Sequence, residues 1–296
     1  MRERYHFRSA VRWTPLVLSS ALVAAAAILV RGAPTDVPGL EVATTEDVVD
    51  AVLFLAFPFV AALILAREPR NLFAWAFALV GLCHEANAFA GSYATYATFT
   101  NPGSLPAARF MSLVSDMLIV PTFVLVVALI PLLFPTGKPP TKRWWPVGAA
   151  ACAAVVFAVT SMAIRPGPVD EDVPTSGLNP LGIAGAGDVA NALDLVAFAL
   201  LAMAALGAIA SVVVRTQRSR GDERRQLKIF FAAVAVVFAV FFLPDEPLGL
   251  GGEAAQVALA FVGILAFPVA VAIALCRPRS TEVDRGQRVR TYVRAG

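Results

Sequence analysis

Charge is what this sequence lacks most. Only 15% of its 296 residues are Asp, Glu, Lys or Arg, while 58% are hydrophobic, and the mean hydropathy is +0.72. An ordinary soluble domain carries roughly 25% charged residues, so a water-soluble globule of this length is excluded. Histidine is scarcer still. His6 and His84 are the only two, which leaves no imidazole cluster for a zinc site. Cysteine is scarce too, and Cys83, Cys152 and Cys276 all lie in or at the end of apolar runs. They behave there as small hydrophobes, with neither a disulfide framework nor zinc spacing.

Long apolar runs are what the chain has in abundance, and they predict an all-α polytopic transmembrane bundle of about eight helices. The first covers Pro15 to Val30, behind Arg2, Arg4, Arg8 and Arg12. It resembles a signal peptide, but Val30-Arg31-Gly32 is a poor cleavage site, so an uncleaved signal anchor is expected. The second runs from about Val48 to Ala66 with Pro58 inside it. Asn71 is a candidate N-cap for the third, which reaches about Gly91. Phe110 to Phe134, Val147 to Ile164, about Val189 to Val214, Ile229 to Leu243 and about Ala254 to Cys276 complete the set. Between them, Arg31 to Asp50, Ser92 to Arg109, Arg165 to Asp188 and Pro244 to Glu253 read as outer linkers. The domain division follows: residues 1–13 form a basic cytoplasmic terminus, 14–276 the membrane domain and 277–296 a basic cytoplasmic tail.

Orientation comes from the basic run at Arg215 to Lys228, whose six cations lie between two apolar segments. Cations flanking spans are retained in the cytoplasm. With that face fixed, four cations precede the first span, two sit at Arg67 and Arg70, three at Lys138, Lys142 and Arg143, six in the basic run and six in the tail. Thus 21 of 24 fall inside, and both termini are expected in the cytoplasm of a cell-membrane protein. Topology accounts for these clusters, so no nucleic-acid partner is expected and the bilayer itself is the first partner.

Motifs for chemistry fail one by one. His84-Glu-Ala-Asn-Ala88 opens like a zinc-protease helix, yet Ala88 stands where the second histidine ligand belongs. There is no nucleophile elbow or phosphate-cradling loop, and Leu248-Gly-Leu-Gly-Gly-Glu253 reads as a hinge in an outer turn. No catalytic residue, metal or cofactor is expected.

Four phrases carry a resemblance. Arg67-Glu-Pro-Arg-Asn-Leu-Phe-Ala-Trp75, Leu133-Phe-Pro-Thr-Gly-Lys138 with Arg143-Trp144, Leu178-Asn-Pro-Leu-Gly-Ile183 and Arg218-Ser-Arg-Gly-Asp-Glu-Arg-Arg-Gln-Leu-Lys228 resemble, in this order, the multi-helix membrane input region of actinobacterial sensor histidine kinases. Val283-Asp-Arg285 with Arg290-Thr-Tyr-Val293 is similar to the start of the linker toward the phosphoacceptor helices. The chain departs from that pattern at Leu72 and Ala74, where the family usually has proline and glycine. It also contains no stretch fit for an ATP-binding domain. The resemblance therefore implies a non-enzymatic, signal-sensing or accessory domain that acts on a separate histidine kinase or response regulator, or as a homo-oligomer. A small transporter of a proton, cation or small molecule is the alternative.

Two groups of residues stand out for function. Glu85, Asp116 and Asp194 are the carboxylates inside expected spans, and helix rise places all three at one outer level beside His84 and Asn87. Intramembrane carboxylates of this kind face a bundle interior or a cavity, so these five are the expected ligand-binding residues of an outward-open polar pocket for a proton, cation or cationic small molecule. Arg218, Arg220, Arg224, Arg225 and Lys228 are the expected partner-coupling surface.

Overall fold

A computed structural model describes residues 11–34, 37, 45–169, 177–242 and 253–276, and every one of the eight apolar runs is helical in it. The helices are α1 (Thr14–Leu29), α2 (Thr45–Phe54), α3 (Ala56–Arg67), α4 (Leu72–Thr95), α5 (Ala108–Val124), α6 (Ile130–Leu133), α7 (Trp145–Ile164), α8 (Gly187–Arg218), α9 (Gly221–Phe242) and α10 (Glu253–Cys276). Among the described residues the sole β-type pairing is an isolated bridge between Pro168 and Leu178. The expectations for the first ten residues, for Asp170, Glu171 and Asp172, for most of the Pro244 to Glu253 turn and for the tail from Arg277 lie outside the described residues.

Five helical stretches are long and apolar enough to cross a membrane: Asp47–Arg67, Leu72–Thr100, Ala108–Leu133, Lys142–Ile164 and Gly187–Arg218. Thr14–Leu29 and Phe261–Ala274 are shorter apolar helices. The packing within α8 is that of a membrane helix. Ala197, Ala204, Ala208 and Ser211 are buried, while Leu195, Phe198, Leu206 and Ile209 turn outward at 60–71% exposure. Water would penalise that arrangement, but hydrocarbon does not distinguish an outward leucine from an inward one, so small residues take the interface where backbones can approach. At Gly207 a Cβ would lie 2.7 Å from Val147 of α7, and α7 answers with its own buried Gly148, Ala151 and Ala154.

Proline sets the interruptions. Pro58 has no N–H to give the carbonyl of Phe54, and the second span breaks at Leu55 into α2 and α3. Pro131 follows a π-helical turn at Leu125–Leu129, which widens the helix just where a ladder donor is missing. Sequence reading ended the third span near Gly91 and assigned Ser92 to Arg109 to an outer loop. Instead α4 continues through a π-helical turn to Thr100. Its polar residues are satisfied locally, Ser92 Oγ donating to Ala88 O at 2.7 Å and the Tyr93 hydroxyl to Pro106 O at 2.9 Å, so they do not demand water. The linker from Arg31 is likewise shorter than expected, because helix resumes at Thr45 and takes in Asp50. The basic run is mostly helix as well, with only Ser219 and Arg220 between α8 and α9 and Gly221 at φ +59°.

A cluster of phenylalanines ties the elements together. Phe57 of α3, Phe73 and Phe77 of α4, Phe134 after α6, Phe230 of α9 and Phe267 of α10 form a continuous chain of ring contacts, from 4.1 Å for Phe134–Phe230 to 6.1 Å for Phe57–Phe267. All six are buried. Offset and edge-on ring pairs of this kind contribute dispersion and quadrupole attraction that lipid cannot replace.

The helix ends are closed by asparagine. Asn71 caps α4 as expected, its Oδ1 accepting from the amides of Phe73 at 3.0 Å and Ala74 at 3.3 Å. Asn179, in the phrase Leu178 to Ile183, donates to the carbonyls of Met162 (2.9 Å), Ala163 (3.2 Å) and Arg165 (2.9 Å) at the end of α7. That phrase is thus a plug for a helix terminus. Replacing Asn179 with Ala should lower unfolding stability by about 1–3 kcal/mol, since the carbonyls lose a donor at a partly buried site. Asn71→Ala should cost about 1 kcal/mol. Thermal unfolding of the purified variants in detergent measures both.

Candidate functional site

The five residues expected to bind a ligand divide among three settings. The first lies between α2 and α4. His84 Nε2 is 2.9 Å from Asp50 Oδ2, and the imidazole stacks on Phe54 with centroids 3.5 Å apart and planes 9° from parallel. One residue on, Glu85 is fully buried, and neither carboxylate oxygen has a hydrogen-bond partner among the described residues. Asp50 lies within electrostatic reach of it. Gly81, one turn before Glu85, brings α4 hard against the break in the second span. A Cβ there would lie 2.5 Å from Pro58 Cδ and 3.0 Å from Phe54 O.

The second setting lies between α4 and α5. Asn87 Nδ2 donates to Ser115 O at 2.7 Å and Ser115 Oγ at 3.1 Å, and Ser115 Oγ lies 3.0 Å from Asn87 O. Gly91 leaves space for this approach, with a Cβ there falling 3.1 Å from Ser115 Oγ. Asn87 is therefore part of a helix-to-helix clasp, and the neighbouring Asp116 is half-buried.

Asp194 occupies the third setting, between α7 and α8. Arg165 pairs with it and also donates to Asn191 Oδ1 at 3.0 Å. This pair is 37–45% exposed, so it belongs to the rim. Below it, Ile119, Phe123, Ala154 and Phe198 line an apolar groove of about 370 Å³. The three carboxylates expected to form one layer thus lie in separate helix-to-helix settings, because each span meets its own neighbour. Asp50 was missed since sequence reading assigned it to a linker. Its place three residues after Asp47, at the start of an apolar run, was the available signal.

At the opposite end of the bundle the basic segments converge. Arg215 of α8 is buried and donates to the carbonyls of Phe134, Leu132 (3.5 Å) and Lys138 (2.8 Å). It so engages the turn whose Gly137 lies against Asn71. Around this junction Arg67, Arg70, Lys138, Lys142 and Arg143 are exposed, as are all five expected coupling residues, Arg218, Arg220, Arg224, Arg225 and Lys228. Gln226 Nε2 donates to Ala274 O at 2.8 Å, fastening α9 to the end of α10. Sequence counting treated Arg215 as one cation among six. Its position directly after the apolar Val212 to Val214 distinguishes it from the rest.

No family model, no curated protein and no solved structure matches the chain.

Among the described residues no group of three or more His, Cys, Asp or Glu side chains is arranged to hold a metal ion. The ionisable groups fall into two sets, the buried Glu85 beside the Asp50–His84 pair and the exposed cations of the basic end. The two kinds of arginine at that end should respond differently to substitution. Arg215→Met removes donors to buried carbonyls and should lower stability by on the order of 2–4 kcal/mol. Arg218→Gln, at the surface, should stay within about 0.5 kcal/mol of the parent. Melting curves in one detergent compare them directly.

Proposed function

We propose that this chain is a multi-pass sensing or accessory domain of the cell membrane, with eight spans and both termini in the cytoplasm. In this reading it passes a signal through its basic end to a separate partner, a histidine kinase or response regulator. The observation that carries the reading is the exposure of Arg218, Arg220, Arg224, Arg225 and Lys228 on the end of α8 and the start of α9. Those helices are not loosely tethered. Arg215 binds α8 to the turn at Phe134 to Lys138, and Phe230 stacks on Phe134 in the core. A small displacement of the bundle would therefore be carried to the cationic surface. At about 1.5 Å per residue, α8 with its 32 residues spans about 48 Å, well beyond a hydrocarbon layer of about 30 Å. The bilayer and further copies of the chain are its other expected partners.

One observation favours the transporter reading. The buried Glu85 lies one turn from the proline-interrupted junction of α2 and α3, and interrupted helices beside buried carboxylates are the usual construction of ion paths. Copurification of a kinase or response regulator from native membranes supports sensing. Substrate accumulation in vesicles would support transport instead.

Two measurements test the leading reading. Reporter fusions after Asn179 and after Arg220 should give outer and cytoplasmic signals respectively, and a cytoplasmic Asn179 would overturn the eight-span topology. The double substitution Arg224→Gln with Arg225→Gln should weaken partner binding at least tenfold while topology and stability remain those of the parent. Unchanged binding would leave the basic surface with an orienting role alone.

A further inference from the structure

We propose that Asp50, His84 and Glu85 form a proton-binding site at the interrupted helix α2–α3, with Glu85 as the group that carries the exchangeable proton and the His84–Asp50 pair as its connection to the surface. The proposal names a ligand for the α2–α4 setting. It depends on the membrane-embedded reading of these helices and goes beyond the signalling reading, whose outcome is measured at a different end of the molecule.

The first ground is the isolation of Glu85. Its side chain is fully buried and both oxygens are without a hydrogen-bond partner among the described residues. A charged carboxylate in that position would need a cation or several donors to compensate its lost hydration. The surrounding helices supply little. Across from it α1 carries no titratable residue between Thr14 and Leu29, and the sole charged residue of α3 is Arg67 at its far end. From α2 come Asp47 and Asp50, and from α5 Arg109 near its start and Asp116. On α4 itself the neighbours are Cys83 and His84. Asp50 is the charged group within electrostatic reach of Glu85, and it carries the same sign, so a proton shared by this region relieves the repulsion between the two carboxyls.

The second ground is access. His84 and Asp50 are 24% and 28% exposed, so the 2.9 Å hydrogen bond between them lies at the boundary between surroundings and interior. Imidazole relays protons by accepting on one nitrogen and releasing from the other. Stacking on Phe54 fixes the ring plane; Glu85 is the next residue of α4, where consecutive side chains diverge, so transfer between the two takes a side-chain rotation or a bridging water. The third ground is the location. Pro58 breaks the helical ladder at the level of Phe54, and Gly81 holds α4 against that break, so an interrupted helix meets α4 one turn from Glu85. With Leu72–Thr100 as one continuous helix, Glu85 falls near the middle of its length, far from either end.

Infrared difference spectra of the purified chain in detergent, taken across a pH titration, test this. The wild type should show a protonated-carboxyl band that appears and disappears with pH, and Glu85→Gln should abolish it. Asp50→Asn and His84→Gln keep Glu85 in place, and each should move the midpoint of that band by about one pH unit. Asp194→Asn, in the α7–α8 pair, should leave it unmoved. The proposal is overturned if the titrating band survives Glu85→Gln, if neither Asp50→Asn nor His84→Gln shifts it, or if sodium at constant pH removes it, which would make the site one for a metal cation. Because none of these spectra involves the partner, loss of signalling by Arg224→Gln with Arg225→Gln and loss of the proton band are separable failures.

Discussion

Every part of this molecule answers one constraint: in a medium without water, each backbone carbonyl and amide must find a partner within the protein. Continuous helix solves that problem along most of the chain. The remaining difficulty is concentrated at helix ends and prolines, and there the polar side chains are found. Asn71 closes the start of α4, Asn179 the end of α7, and Arg215 the carbonyls left by α6 and the turn after it. Pro58 and Pro131 create the same need in mid-span, and a helix break or a π-helical turn absorbs it.

Seen through that constraint, the two ends of the bundle differ in kind. At one end a buried arginine is committed to carbonyls and a shell of exposed cations surrounds it. At the other, Arg165 and Asp194 form an ion pair at the rim of α7 and α8. Between the ends the interior is largely apolar and rich in phenylalanine, and the Asn87–Ser115 clasp and the patch at Asp50, His84 and Glu85 are among its polar places. The basic end thus presents exposed cations on a hydrogen-bonded foundation, and the patch holds a buried carboxyl beside a hydrogen-bonded pair.

How far the sequence anticipated this depended on which physical effect decided each residue. Apolar run length governs helix existence, so all eight runs were legible. Local capping chemistry is short-range, so Asn71 was legible too. Boundaries were harder, because polar residues such as Ser92 and Tyr93 look like loop until their hydrogen bonds to Ala88 and Pro106 are known. The candidate site was least legible. Helix rise assigns Glu85, Asp116 and Asp194 a level along their helices but no azimuth, and partnership is decided by which face meets which neighbour. Asp50 reached His84, and Arg165 reached Asp194, across 34 and 29 residues of sequence.

The helices also differ in length around the bundle. The continuous helix Leu72–Thr100 and the 32-residue α8 are each more than about 40 Å long, whereas the described part of α1, packed along α4, covers 16 residues, or about 24 Å. A bilayer cannot match both with one thickness. A helix longer than the hydrocarbon layer tilts or carries its ends into the interface, and a shorter one thins the lipid beside it, each at fractions of a kcal/mol per Å. Helices of such unequal length in one bundle therefore couple the protein's inclination in a membrane to the acyl-chain length around it.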